Sequence, residues 1–146
     1  MTIRCEIVSQ DRTVFTGDVD IVVLPGAAGE MGILPGHAPV LTSLKFGLIK
    51  VRQKGNEEVF TVAGGIAEVQ PRIVTVLADA AENVREIDVA RAEAARTRAE
   101  EAIAKGVPPD TDAYLAMEAA LRKSNLRLEA ARRYGKSSAR SHYTEQ

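Results

Sequence analysis

The sequence is poor in the residues from which catalytic and metal centres are commonly built. It has one cysteine, Cys5, and two histidines, His37 and His142, among 146 residues. A single cysteine excludes an internal disulfide framework and favours a reducing compartment, and the spacing of these three residues excludes an ordinary zinc site. The motifs of phosphate loops, dinucleotide folds, serine hydrolases and zinc proteases are also missing. We therefore expect a protein without a catalytic site of its own.

Long apolar runs and a strong net charge are missing as well. No run approaches the roughly 18 residues of a membrane-spanning helix, and the first residues lack a signal-peptide pattern. The net charge of -1 gives no general reason to bind nucleic acid or an anionic surface. With 45% apolar residues we expect a soluble globular chain with one modest core and at most a small appendage. Any membrane association is expected to go through another protein.

The first 80 residues follow the period of β-strands. Ile3, Cys5 and Ile7 alternate with polar residues, which predicts a half-buried strand. The same pattern is expected to bury Val19, Ile21 and Val23, and further on Ile49 and Val51. The later runs EEVFTVA and RIVTVLADA are more continuously apolar and are separated by turn-forming residues. Short strands at this spacing predict a sandwich or a flattened barrel.

From about Asp88 the period becomes helical. Residues 88–105 are rich in alanine, and Gly106, Pro108 and Pro109 end the first helix. Thr111 or Asp112 is expected to cap a second helix that runs to about Tyr134, with Gly135 at its end. The short connection predicts an antiparallel hairpin.

The expected contact stripes of this hairpin consist of small residues. On the first helix they are Val89, Ala92, Ala99 and Ile103, and on the second they are Leu115, Ala119, Leu126 and Ala130, with Leu121 and Leu128 beside them. Alanine favours a helix but buries little area, so the pattern fits a detachable element. From periodicity alone, an ordinary packed hairpin is the favoured interpretation.

Basic residues are concentrated in the second helix and beyond it. Seven lie between Arg122 and Arg140, against one acidic residue, Glu129. A solvated helix face and a surface for an acidic partner both explain this run. Nucleic acid is a less favoured partner, because the basic run contains no aromatic residue before Tyr134 and the rest of the chain is acidic by difference.

Several blocks resemble one family in order along the chain. They are GEMGILPGHAP, LKFGLIKV, VAGGIAEVQP, VTVLADAAE and IDVARAEAARTRAE. Over about residues 3–132 the sequence closely resembles the epsilon subunit of the rotary F-type ATP synthase. The resemblance implies a ten-stranded β-sandwich over residues 1–86 and a regulatory helical hairpin over 87–134, and it leaves residues 135–146 as a disordered tail.

The resemblance also implies a function and partners. Such subunits belong to the central stalk, where the sandwich binds the gamma subunit and the ring of c subunits during proton-driven ATP synthesis. The hairpin inhibits ATP hydrolysis when it extends and contacts the alpha and beta subunits. The expected place is the cytoplasmic face of the bacterial inner membrane, reached through the complex, with no nucleic acid and no required cofactor. Regulatory ATP is the one ligand that the resemblance suggests.

The first implied site is a turn that contacts the c ring. Glu30, Met31 and Gly32 match the ring-facing turn of the family, and His37 matches its Gly-His-Ala-Pro turn. Fixed glycine and proline turns suit docking, because they reduce the entropy that is lost on binding. For His37 a structural role in the turn is favoured over proton transfer.

The second implied site is for ATP, and a third contacts the catalytic head. The ATP pattern maps onto Glu82, Ile87, Asp88, Arg91, Ala92, Arg98, Lys123 and Arg127. Lys123 replaces an arginine of that pattern, which keeps the charge but loses the planar fork that holds a phosphate. Asp88 is equally well explained as a helix cap. The implied head contacts are Arg122, Lys123, Arg127, Arg132 and Arg133.

Two other classes of function stay open at this point. One is a stand-alone sensor that binds a nucleotide, and the other is a helical nucleic-acid binder attached to a β domain. Salt-dependent binding to DNA would favour the second. Only a stalk subunit is expected to co-elute with a very large complex.

Overall fold

The period-two segments form eight strands in the part of the chain that the computed structural model describes, which is residues 1–106, 108–109 and 111–135. The chain divides into two compact units, one of residues Met1–Asn83 and one that begins at Val84. The strands are β1 (Ile3–Ser9), β2 (Thr13–Val19), β3 (Ile21–Gly26), β4 (Gly29–Ile33), β5 (Val40–Gln53), β6 (Asn56–Val69), β7 (Ile73–Ala78) and β8 (Ala81–Asn83).

One continuous sheet folds over on itself in the first unit. Its strand order is β2-β1-β7-β6-β5-β3-β4, and β8 pairs with β6. All neighbours are antiparallel except β1 and β7. The rings of Phe15 on β2 and Phe60 on β6 lie 5.5 Å apart, although three strand spacings of a flat sheet span about 14 Å. The sheet is therefore strongly curved, and its two halves enclose the core.

The resemblance implied ten strands, whereas the described residues form eight. β5 and β6 are 14 residues long each and pair from one end to the other except at Lys45 and Gly64. Midway along β6, Gly64 and Gly65 have φ angles of 87° and 130°. β6 pairs with β8 before this point and with β7 from it onward. If each long strand is divided there, ten segments result, so the difference in count comes from two strands that continue through a bend.

Burial confirms one alternating strand and corrects another. In β1, Ile3, Cys5 and Ile7 are fully buried. In β5, Ile49 is fully buried and Val51 is almost fully buried. Val19 and Val23 are buried as expected, but strict alternation in β3 is wrong, because Val22 and Leu24 are fully buried as well and Ile21 is only half-buried. The chain leaves β2 at Val19 and starts β3 at Ile21, so alternation does not continue from one strand to the next.

Cys5 lies at the centre of this core with no exposed surface. The pKa of its thiol is raised from 9.0 to about 12, mainly because the thiol is buried and to a smaller extent because the negative charge of Glu6 is nearby. In that pH range the unfolded chain binds fewer protons than the folded chain, so the free energy of unfolding falls as pH rises.

We expect the wild type to lose stability between pH 9 and pH 12 more steeply than a Cys5→Ala variant, by up to about 1.4 kcal/mol per pH unit. Urea unfolding of both proteins at several pH values measures the difference. Parallel profiles would show that the thiol does not titrate across the unfolding transition.

The second unit contains a short 3₁₀ helix (Val84–Glu86) and two helices, α1 (Val89–Ala104) and α2 (Asp112–Tyr134). Thr111 is the residue that caps α2, because its hydroxyl accepts from Tyr114 N at 3.2 Å. Gly106, with a φ angle of 88°, follows α1 as the sequence predicts. No helix within the described ranges is both long and apolar enough to span a membrane. A disordered tail was expected over residues 135–146, and of these residues 136–146 lie outside the described part of the chain.

The contact faces of the helices differ from the expected stripes. Ala92, Ala99 and Ala130 are buried as expected, but Val89 and Leu115 are 45% and 59% exposed, and Ala119 is also exposed. On α2 Leu121 and Leu128, expected beside the stripe, are half-buried together with Met117 on the line of the buried Ser124, and Leu126 of the stripe is half-buried as well. The Ser124 hydroxyl donates to the Ala120 carbonyl at 2.8 Å, which removes the penalty for burying it.

Candidate functional site

The N-terminus of α1 carries the motif IDVARA. Asp88 is its N-cap, and the carboxylate oxygen Oδ1 accepts from Arg91 N at 3.1 Å. Ala92 N then donates to the Asp88 carbonyl at 3.0 Å, and the Ala92 side chain is fully buried. The capping role of Asp88 is therefore real, and the exposed carboxylate retains further acceptor capacity.

A groove of about 370 Å³ runs between α1 and α2 in the second unit. Its lining is Ala95, Arg98, Ala99 and Ala102 from α1, and Ala116, Met117 and Ala120 from α2. Ala102 near the end of α1 thus shares the groove with Ala116 near the start of α2, so the helices are antiparallel. We call this the hairpin groove. Its described walls are apolar except for the guanidinium of Arg98.

Helical spacing extends both walls of the hairpin groove toward a set of cations. Residues three and four apart lie on one side of a helix. The α1 wall follows the row Arg91, Ala95, Arg98 and Ala102, and the α2 wall follows the row Ala116, Ala120, Lys123 and Arg127. Because the helices are antiparallel, the apolar ends of the two rows meet at one end of the groove, and their basic residues gather toward the other.

Three charges of this basic end are available to a ligand. Arg91, Arg98 and Lys123 are exposed, and within the described residues none of the three makes an ion pair. Arg127 is half-buried. An apolar slot with several cations and one carboxylate at its end suits a molecule that has a flat ring at one end and phosphates at the other.

Four members of the expected ATP set lie outside these rows, namely the cap Asp88, the buried Ala92, Ile87 and Glu82. Ile87 is half-buried next to the cap. Glu82 lies in β8 of the first unit, where its carbonyl accepts from the Thr61 hydroxyl at 3.5 Å. The structure therefore places four expected residues, Arg91, Arg98, Lys123 and Arg127, along the two rows, and Asp88 caps α1 one turn before Arg91.

The expected head-contact cations divide between different sides of α2. Lys123 and Arg127 belong to the hairpin-groove row, whereas Arg122 and Arg133 lie eleven residues apart on another side. The Arg133 guanidinium lies 5.6 Å from the centroid of the Tyr134 ring. Arg132 donates to both carboxylate oxygens of Glu129, at 2.9 and 3.0 Å. The basic residues of α2 therefore do not form one continuous face.

The expected ring-contact residues also have different environments. Glu30 and Gly32 of β4 are exposed, whereas the Met31 side chain packs against the core. His37 is half-buried, and its ring Nδ1 donates to the Ala38 carbonyl at 2.7 Å. His37 thus has the structural role that the sequence favours, and Glu30 and Gly32 remain as surface groups.

An apolar surface on the outer side of the sheet was missed by sequence reasoning. Leu41, Ile66 and Leu77 are 68%, 44% and 50% exposed, and Ile66 pairs directly with Leu77. A groove of about 450 Å³ lies beside Leu41 and is also lined by Pro39 and Val40. The signal was present in the run RIVTVLADA, since a continuously apolar strand places apolar side chains on both faces of a sheet. We call Leu41, Ile66 and Leu77 the outer apolar patch.

Comparison with known proteins gives one consistent answer. The family model described as the ATP synthase delta/epsilon chain beta-sandwich domain matches residues 2–84, and the long alpha-helix domain model of the same family matches residues 85–132. The ATP synthase epsilon chain of Pelotomaculum thermopropionicum is 55% identical over 104 residues, which cover 71% of this chain and 78% of that one. The epsilon chain of Bordetella petrii is 52% identical over 103 residues, covering 70% and 73%.

Solved structures show the same likeness. A chain in the structure of the Euglena gracilis mitochondrial ATP synthase, OSCP/F1/c-ring, matches with a TM-score of 0.71 and 28% identity, over 89% of this chain and 81% of that chain. A chain of the Tetrahymena thermophila central stalk/c-ring matches with a TM-score of 0.56 over 88% and 93%, and at 18% identity it shows a likeness of fold alone.

Proposed function

The chain belongs to the epsilon-chain family of the ATP synthase, and from this premise we propose that it is a non-catalytic rotor subunit of an F-type enzyme. In this role it couples the catalytic head to the c ring during proton-driven ATP synthesis and restrains ATP hydrolysis through its two helices. Its place is the cytoplasmic face of the bacterial inner membrane, where only the rest of the complex holds it at the membrane.

One observation carries the regulatory part of the proposal, namely the small size of the residues buried in the hairpin. Apart from Val84 in the 3₁₀ helix, the buried residues of the described second unit are Ala92, Ala99, Ser124 and Ala130. Burial of one methyl group stabilises by only about 0.8 kcal/mol, and the larger side chains of the contact line, Met117, Leu121 and Leu128, are only half-buried. We therefore expect separation of α1 from α2 to cost little. Each helix retains its own cap and its alanine content, and so stays helical when separated.

We infer two states of the hairpin from this weak contact. In the closed state α1 and α2 pack together and form the hairpin groove. In the extended state they separate, and Arg122, Arg132 and Arg133 of α2 contact acidic segments of the alpha and beta subunits and block rotation. ATP in the hairpin groove requires both rows of cations and therefore favours the closed state.

The first unit supplies the permanent contacts of the rotor. The outer apolar patch suits the gamma subunit, since an exposed group of leucine and isoleucine side chains is typical of a stable interface. Glu30 and Gly32, with the turn that His37 braces, face the c ring. This unit has its own buried core from Ile3 to Ala78, and so it does not need the helices to fold.

Reconstitution of a complex depleted of its epsilon subunit tests both halves of the proposal. We expect the full chain and a chain truncated after Glu86 to bind gamma equally and to restore ATP-driven proton pumping. Only the full chain is expected to suppress ATP hydrolysis, because the truncated chain lacks α1 and α2. The ratio of hydrolysis to pumping, measured for both chains, is the readout.

Two results would contradict the proposal in different ways. A truncated chain that aggregates or fails to bind gamma would show that the first unit depends on the helices. A full chain that binds ATP but never associates with the complex would identify a stand-alone nucleotide sensor instead.

A further inference from the structure

The 3₁₀ helix before α1 carries the only branched apolar side chain that is buried in the described part of the second unit. This residue is Val84, whereas the other buried residues of the unit are alanine and serine. The 3₁₀ helix contacts α2, and only Ile87 and Asp88 separate it from α1. The start of α1 lies beside the end of α2, because Val89 and Leu128 line one groove. The 3₁₀ helix therefore packs against the last turns of α2.

These last turns of α2 are buried on a second side. Ala130 is fully buried, and Leu126, one turn before it, is half-buried. Ala130 follows Ser124 by six residues, so at about 3.6 residues per turn its side chain points about 120° away from the line that packs against α1. Contact with α1 does not cover that side. The 3₁₀ helix is the other described element of the second unit that contacts α2. We call Val84, Leu126 and Ala130 the clasp.

We propose that the clasp, and Val84 above all, keeps the hairpin closed and so sets how often α2 is released. Because only two residues join the 3₁₀ helix to α1, α2 lies between two connected elements and separates from both when the hairpin opens. The larger side chains of the α1 contact line are only half-buried, so the buried area of Val84 contributes strongly to the closed state. This inference rests on the two states of the proposed function and names the residue that balances them.

The labelling rate of a thiol placed in the α1 contact line measures how often the hairpin opens. Ser124 is buried while the hairpin is closed, and serine and cysteine are similar in size. Cys5 is the single cysteine of the chain, so Ser124→Cys combined with Cys5→Ala leaves one thiol. We call this variant the reporter chain. Dithionitrobenzoate reacts with it at a rate proportional to the open fraction, and a rare open state is therefore measurable.

In the reporter chain, Val84→Ala is expected to raise the labelling rate about tenfold, the effect of removing two buried methyl groups. Val84→Ile keeps the apolar contact and is expected to label more slowly than Val84→Ala. The matched control is Val89→Ala, because it removes the same atoms from an exposed valine and should leave the rate nearly unchanged. In the assembled complex, Val84→Ala should also inhibit ATP hydrolysis more strongly than Val89→Ala.

A substitution on α2 tests the clasp from its other side and leaves the 3₁₀ helix unchanged. Ala130→Leu places a larger side chain in the buried contact, whereas Ala119→Leu places it on an exposed part of the same helix. Only Ala130→Leu is expected to raise the labelling rate. Its combination with Val84→Ala should raise the rate by less than the product of the single effects, because leucine fills the space that the valine leaves.

The possible results distinguish the clasp from the proposed function. Equal labelling rates for Val84→Ala and Val89→Ala, or effects of Val84→Ala and Ala130→Leu that simply multiply, would overturn the clasp. If labelling follows the expected order but the full chain never suppresses ATP hydrolysis in the complex, the clasp stands and the proposed function is overturned.

Discussion

Replacement of Gly65 by alanine is expected to destabilise the first unit more than the same replacement of Gly55 or Gly32. Gly65 has a φ angle of 130°, and a Cβ atom placed there would lie 2.3 Å from the Leu77 carbonyl oxygen and 2.8 Å from Ala78 Cα. Both neighbours are backbone atoms of β7, which pairs with β6 at this residue. Conformational strain of about 1–3 kcal/mol adds to overpacking of about 1–3 kcal/mol.

Alanine substitutions at two further glycines distinguish the energetic cost of backbone strain from the cost of steric overlap. Gly55 has a φ angle of 83° with nothing within 4 Å of its Cβ position, so Gly55→Ala measures strain alone. Gly32→Ala has neither feature and should be nearly neutral. Urea unfolding followed by circular dichroism is expected to rank the three as Gly65, Gly55 and Gly32, from the largest loss to the smallest. A Gly65→Ala variant as stable as Gly55→Ala would show that β6 and β7 separate without cost at this point.

The change of period along the chain was sufficient to predict the main division of the fold. Alternation in β1 placed Cys5 in the core, and capping rules placed Asp88 at the start of α1 and either Thr111 or Asp112 at the start of α2. These features depend on a few neighbouring residues, which sequence shows directly. The bend at Gly64 and Gly65 depends on which strands flank β6, so sequence alone did not show that two long strands continue through it.

The contact face of α2 could not be predicted for a different reason. Leu115 and Ala119 have the right spacing and hydrophobicity for an interface, yet both are exposed. Ser124 has the wrong polarity but is buried, since its hydroxyl is satisfied within its own helix. When both sides of a helix are alanine-rich, small differences in packing against the neighbouring helix decide which side is buried.

The arrangement of the basic residues is a further feature that sequence alone could predict only in part. The spacing of Arg91 and Arg98 on α1, and of Lys123 and Arg127 on α2, is visible in the sequence as two separate rows. That the rows meet at one groove, while Arg122 lies elsewhere, follows only from the antiparallel packing. This separation changes the expected effect of each substitution, because only Lys123 and Arg127 are shared between the implied ATP and head contacts.

Replacement of Arg91 and Arg98 together by alanine is expected to abolish ATP binding to the isolated chain. Each removes one charged hydrogen-bond donor from the hairpin-groove row, and each such bond contributes about 1.5–3 kcal/mol, or roughly tenfold to a hundredfold in affinity. Lys123→Arg should tighten binding, because it restores the planar fork. Since ATP at a hundredfold excess over its dissociation constant stabilises the closed state by about 2.7 kcal/mol, the double variant should also inhibit hydrolysis more strongly.

Matched variants keep this prediction specific to the hairpin groove. Arg122→Ala removes an exposed arginine of α2 outside the groove row and should leave ATP affinity unchanged while it weakens inhibition. Asp88→Ser keeps an N-cap but removes the carboxylate, so weaker ATP binding with unchanged helix content would assign that carboxylate to the ligand. Calorimetry on the isolated chain, with hydrolysis assays on the complex, measures both effects. If the wild type shows no heat at millimolar ATP, or if Arg122→Ala weakens binding as much as Arg98→Ala, the groove is not a nucleotide site and the hairpin acts independently of ATP.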